Sequence, residues 1–125
     1  MKLVIFGSRT INDINTLNSV MEQIYGLEPI TEIISGMASG VDALAVSWAR
    51  AHDLPVQMRP ADWKRYGRGA GMIRNEQMAQ ECDCAIGIWD GKSKGTFGMI
   101  QICQQYHKPL VVYRTDLGEF DQYDM

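Results

Sequence analysis

Four short segments of the chain combine small residues with groups able to hold an anion. The first is Ser35-Gly36-Met37-Ala38-Ser39-Gly40-Val41-Asp42. Its small residues let a backbone come close to a ligand, and the helix expected after it offers free N–H groups and a positive dipole end to a phosphate. The dinucleotide fingerprint is absent, because the third glycine and its spacing are missing. The plainer alternative is a tight strand-to-helix turn capped by Ser39 or Asp42. The second segment is Gly7-Ser8-Arg9, where Arg9 can fork onto phosphate or carboxylate oxygens or stand as an ordinary loop arginine. The third is Asp90-Gly91-Lys92-Ser93-Lys94-Gly95-Thr96. Gly91-Lys92-Ser93 resembles the end of a Walker A loop, but Ile86 stands where that motif requires glycine, and the loop follows a late strand. An NTPase is therefore excluded. What remains is a helix N-terminus with Gly95 and Thr96 placed for an anion, or a polar turn. In the fourth, Pro60-Ala61-Asp62-Trp63 and Arg74-Asn75 bracket a basic loop. Trp63 can stack on a base and Asp62 can accept from ribose hydroxyls, or Trp63 anchors the loop by packing.

Catalytic signatures are missing. No Ser-His-Asp set, close carboxylate pair or metal-ligand cluster is legible, so catalytic residues stay unassigned and no metal is expected. His52 and His107 fall at expected helix C-termini, where a cation suits the dipole. Cys82-x-Cys84 lacks zinc or thioredoxin spacing, and Cys82, Cys84 and Cys103 read as small buried hydrophobes.

These segments need elements to position them. Leu3–Phe6 reads as a buried strand, and Ile14, Leu17, Met21 and Ile24 recur at helical spacing with Thr10 or Asn12 as caps and Gly26 and Pro29 as the stop. Thr31–Ser35 is a second strand. Val41, Leu44, Ala45, Trp48 and Ala49 give the clearest helix. Leu54–Met58 is a third strand, a glycine-rich loop runs from Pro60 to Gly71, and a helix follows over 72–82. Cys84–Trp89 and Leu110–Tyr113 are strands flanking a helix over 96–106. Strand–helix alternation through five strands predicts one α/β Rossmann-like domain, a doubly wound parallel sheet in an order such as 3-2-1-4-5 with helices on both faces. Ligands then bind outside the strand carboxyl ends, where nearly all the polar and glycine residues fall.

Composition bounds the partners. At 125 residues, 46% hydrophobic and 22% charged, the chain fits one domain over 1–115, with an acidic, mobile tail over 116–125. The formal charge is −3. The tail holds Asp116, Glu119, Asp121 and Asp124 without a base, so the body carries 11 acids against 12 bases. A near-neutral body argues against nucleic acid as a partner. Between Arg59 and Arg74, however, five bases stand against one acid, which suits a small anionic ligand. No apolar run approaches the about eighteen residues that span a bilayer, and the first residues are too short for a signal peptide. No membrane partner and a cytoplasmic location are expected.

Taken in order, these segments resemble the SLOG superfamily, named from the Smf/DNA-processing protein A and Lonely Guy proteins. Ser35-Gly36-x-Ala38-x-Gly40-Val41-Asp42-x-Leu44-Ala45 resembles the signature shared with DNA-processing protein A. Pro60-Ala61-Asp62-Trp63, Gly67, Ala70-Gly71, Arg74-Asn75-x-x-Met78 and Asp90-Gly91-x-Ser93-x-Gly95-Thr96 are closer to a small stand-alone branch of bacteria and phages. The resemblance covers about residues 3–113 and implies a Rossmann-like fold with a pocket for an NAD-, ADP-ribose- or nucleoside-phosphate-type ligand. Lonely Guy enzymes hydrolyse N-glycosidic bonds with an arginine and a glutamate. Arg74 falls near the first, Gly95-Thr96 matches the glycine-threonine before the second, and Met99 occupies the glutamate position. A methionine can neither activate water nor stabilise an oxocarbenium ion.

The sequence thus reads as a sensor or sequestering module for a nucleotide-derived ligand, with no certain cofactor beyond it. Gly36–Asp42 and Gly95-Thr96 hold phosphates, Arg9 and Arg74 neutralise them, and Asp62 or Trp63 meets ribose or base. One rival is a phosphoribosyl hydrolase using Asp42, Asp62 or Asp90; another is a single-stranded DNA binder. A homodimer or higher homo-oligomer is expected, since related folds pair through their helices.

Overall fold

A computed structural model describes residues 1–24 and 29–122. The strands are β1 (Lys2–Gly7), β2 (Glu32–Ser35), β3 (Val56–Met58), β4 (Cys84–Trp89), β5 (Leu110–Arg114) and β6 (Glu119–Gln122). The helices are α1 (Ile14–Ile24), α2 (Val41–Ala51), α3 (Trp63–Tyr66), α4 (Ala70–Glu81) and α5 (Lys94–Gln105). The sheet order is β3-β2-β1-β4-β5-β6, parallel except for the antiparallel β5–β6 pair. The expected five-strand order is therefore present and extended by one strand.

Period-two alternation along the buried strands divides the core. Leu3, Ile5, Ile33, Ile86 and Ile88 face one side with Leu17 and Met21 of α1 and Val41, Ala45 and Trp48 of α2. Val4, Phe6, Ile34, Ala85 and Val112 face the other, with Met78 and Ala79 of α4 and Met99, Ile100 and Cys103 of α5. Cys82 and Cys103 are buried and free, and burial pushes their thiols up to about 11 and about 12.

Three local expectations change. Asp13 caps α1, its Oδ1 accepting the Asn15 N–H at 2.9 Å; Thr10 Oγ1 donates to Asp90 instead, and Asn12 Nδ2 donates to the Thr10 carbonyl. The expected stop at Gly26 lies outside the described residues. The glycine-rich segment before α4 is not a plain loop: Asp62 caps α3 by accepting the Arg65 N–H at 3.1 Å, and a 3₁₀ turn over Gly67–Gly69 leads into α4. Part of the segment expected as a mobile tail forms β6. Its pairing is supported by Tyr113 and Phe120, whose rings meet edge-on at 5.0 Å, and by ion pairs from Arg114 to Asp116 and Asp121. Acidic composition suggested a solvated tail, but Arg114 supplies the countercharge from the neighbouring strand.

Gly40, which precedes α2, has φ of 73°, and a Cβ there would collide with the backbone of Ser8 and Arg9. Both the left-handed backbone and this close approach demand glycine. Gly40→Ala is expected to lower stability by about 2–4 kcal/mol in urea unfolding, whereas Gly98→Ala, inside α5 where a side chain meets open space, should raise it by about 0.5–1 kcal/mol.

Candidate functional site

The strand order reverses between β1 and β4, and a cleft of about 480 Å³ opens there. It starts at the β1 carboxyl end, with Gly7 and Arg9, and runs along the groove between α4 and α5. Its volume is within the range of small-molecule sites. Because every strand up to β5 is parallel, the N-termini of α2, α4 and α5 all lie toward this end, and Asp42, Gly71 and Gly95 contribute to the wall from those first turns.

The electrostatic centre is Arg74. This α4 residue is only 9% exposed. Its Nε donates to Asn75 Oδ1 at 2.9 Å and its Nη1 to the Gly36 carbonyl at 2.5 Å. No hydrogen bond occupies Nη2 among the described residues; it lies beside Gly71, itself in the cleft wall. Asp42, 5% exposed, accepts the Ala38 N–H through Oδ2 at 3.2 Å. A Cβ at Gly36 would stand 2.6 Å from Arg74 Nη1 and 2.9 Å from Asp42 Oδ2, so glycine is what lets both groups converge. Burial raises the Asp42 carboxyl above the usual range despite the Ala38 N–H and the charges of Arg74 and Arg9. Burial also lowers Arg74, against the pull of Asp42 and with a push from Arg9. For both groups desolvation outweighs mutual attraction.

The opposite wall begins at α5. Ser93 caps it, accepting from the Thr96 N–H at 3.4 Å and from the Thr96 hydroxyl at 3.0 Å. Asp90 Oδ1 accepts the N–H groups of Lys92 and Ser93, both at 2.8 Å, and its own N–H donates to Ser8 Oγ. Desolvation opposes ionisation of Asp90, but these hydrogen bonds, with those of Ser8 and Thr10, hold its carboxyl below the usual range. The N–H groups of Lys94 and Gly95 have no acceptor among the described residues, which leaves them to the cleft. Trp89 braces this turn: its Nε1 donates to the Ser93 carbonyl at 3.1 Å and its ring stacks on Phe97. Arg114 lies 4.7 Å above the same ring, held there by Asp116 and Asp121.

A family model described as the YspA, cpYpsA-related SLOG family matches residues 1–66, just over half the chain. The chain belongs to that SLOG family. The Gene 61 protein of Mycobacterium phage D29 is 25% identical over 117 residues, covering 88% of this chain and 94% of that protein. Among solved structures, DNA processing protein A of Helicobacter pylori superposes with a TM-score of 0.64 at 21% identity, covering 97% of this chain and 68% of the other. At that identity the likeness shows the fold. The Helicobacter protein binds single-stranded DNA, which overturns the expectation that nucleic acid is not a partner. That expectation rested on a near-neutral overall charge, but binding depends on where charge is placed, and a fold of this kind serves a DNA binder.

Within this SLOG domain the residues singled out from sequence divide into two sets. Gly7, Arg9, Ala38, Asp42 and Trp63 line the cleft, as do Arg74, Asn75, Ser93, Gly95 and Thr96. The others stand behind or beside it. Ser35 Oγ donates to the Asp42 carbonyl and accepts the Met37 N–H, while Gly36 and Gly40 make room for neighbours. The connection over 35–42 thus spends the N–H groups of Met37 and Ala38 on its own side chains. Ser8, Asp90 and Gly91 shape the β1 and β4 loops, with Asp116 packed where a Gly91 side chain would be. Asp62 is an exposed helix cap.

Met72, Glu76, Lys94, Gln101 and Gln105 were not singled out, yet they line the groove. Lys94, Gly98, Gln101 and Gln105 recur at three- and four-residue spacing, a polar stripe on α5 that was the available signal. Met99 lies on the cleft floor at 1% exposure.

Because Asp42 keeps its proton to higher pH when folded than unfolded, its ionisation costs stability as pH rises above the ordinary carboxylate value. Asp42→Asn keeps an acceptor for Ala38. Its stability relative to wild type should rise from about pH 4 through the folded-state pKa and then level off, as read by urea unfolding across pH. Trp89→Phe keeps the ring contacts and removes the donor to Ser93. It should cost about 1 kcal/mol and speed hydrogen exchange over residues 92–96, measured by mass spectrometry.

Proposed function

We propose that this chain binds the phosphate end of a nucleotide-derived small molecule, of the nucleoside phosphate, ADP-ribose or NAD class, and acts as its sensor or sequestering module. The observation that carries this reading is the buried Arg74, whose Nη2 has no hydrogen bond among the described residues, on the same cleft as the α5 N–H groups of Lys94 and Gly95, which among those residues have no acceptor either. Arg9 adds a second charge at the mouth, and Trp63, 53% exposed at the rim, offers a face to a base. Phosphate oxygens fit this mixture of fixed guanidinium and backbone donors. Binding rather than hydrolysis is proposed because Met99 stands on the cleft floor where Lonely Guy enzymes carry a glutamate.

A second reading is single-stranded nucleic acid, favoured by the fold shared with the DNA-binding Helicobacter protein. The nucleotide would then be one unit of a strand.

The test is thermal unfolding with millimolar AMP, ADP-ribose and NAD. At least one should raise Tm by several degrees, since a ligand at a hundred times its Kd stabilises by about 2.7 kcal/mol. Arg9→Gln should weaken that ligand by about tenfold, with its own unliganded Tm unchanged. If none raises Tm and an oligothymidylate also fails to bind, both readings fall. Oligonucleotide binding that weakens steeply with salt, without any effect of mononucleotides, selects the second.

A further inference from the structure

Residues 62–69 are all exposed, and neither α3 nor the 3₁₀ turn after it contributes a buried side chain. A helix that buries nothing is not explained by the core, since packing is what ordinarily stabilises so short an element. Yet this arm carries two aromatic rings, Trp63 at 53% and Tyr66 at 39% exposure. Interleaved with them are Lys64, Arg65 and Arg68. No carboxylate forms an ion pair with these three bases among the described residues; Arg59, just before the arm, is by contrast paired with Glu81. Arg65 lies 5.2 Å from the Tyr66 ring centroid, which keeps its charge beside an aromatic face.

The arm joins the cleft at Trp63, whose ring packs near Gly71 of the wall. Exposed rings flanked by unpaired cations match the requirements of a flexible polyanion with unstacked bases. A duplex hides its base faces, and a bare polyanion has no use for the rings.

We propose that residues 62–69 form a stacking arm for single-stranded nucleic acid: bases stack on Trp63 and Tyr66, backbone phosphates meet Lys64, Arg65 and Arg68, and one phosphate enters the cleft. This rests on the second reading above and names the surface that would select an unpaired strand.

The experiment is fluorescence anisotropy with a labelled oligothymidylate of about 12 nucleotides, a duplex of the same length, competing inorganic polyphosphate, and anionic phosphatidylserine vesicles. Wild type should prefer the single strand. Trp63→Ala and Tyr66→Ala should each weaken it by roughly tenfold, Trp63→Phe should largely restore it, and neither ring variant should change competition by polyphosphate. Replacing Lys64, Arg65 and Arg68 by Gln together should weaken both polyanions. All the altered side chains are exposed, and circular dichroism and Tm should match wild type. Equal losses for oligonucleotide and polyphosphate, preference for duplex, or binding to vesicles in place of the oligonucleotide overturns the proposal. If the oligonucleotide fails to bind while AMP, ADP-ribose or NAD raises Tm, the arm proposal falls and the cleft reading stands.

Discussion

The arrangement of this domain depends on one buried cation reaching across the top of the sheet. Arg74 belongs to α4, which packs on one face, while Gly36 and Asp42 belong to the β2–α2 connection, whose helix packs on the other. The guanidinium therefore ties the two layers together at the end where the cleft opens. Such a tie is costly, since both Arg74 and Asp42 lose water, and it is tolerated because each finds backbone partners. The same desolvation leaves the Arg74 charge poorly screened in a low-dielectric wall, with no hydrogen bond on Nη2 among the described residues.

Around that tie, the parallel sheet brings helix N-termini to a common edge, and the loops then differ in how they use their donors. The β2–α2 loop turns inward: Ser35 and Asp42 consume N–H groups of Met37 and Ala38. The β4–α5 loop is organised from behind instead. Asp90 gathers Lys92 and Ser93, and Trp89 holds the Ser93 carbonyl, so the next N–H groups face the cleft free. The β5–β6 hairpin extends this support through Arg114 over Trp89, which gives the acidic C-terminal residues a role in shaping a site they do not touch.

Much of this was legible from residue patterns. Alternation of strand and helix gave the sheet order, because parallel strands require crossovers and crossovers have one hand. Arg9, Ser93, Gly95 and Thr96 were recognisable because anion-holding types followed strands, and Arg74 because it closes the basic loop. The groove between α4 and α5 was less so. Gln101 and Gln105 belong to the site only because α4 packs beside α5 and makes a groove of that face. Asp62 and Asp90 looked like ligand groups, but a helix cap and a loop clasp use the same carboxylate chemistry.

Local sequence determined what short-range physics controls: the periodicities, the glycine turns, and the presence of phosphate-compatible segments at strand ends. Tertiary structure decided which of those donors remain free. A hydrogen-bonding group has the same identity whether it is spent on a neighbour or left for a ligand, and only the packing of distant segments sets which. Gly36 and Arg74 are 38 residues apart, and nothing in either segment alone announces that they meet. The acidic tail is the converse case: composition marked it as solvated, yet Glu119–Gln122 pair with β5, whose Arg114 faces Asp121.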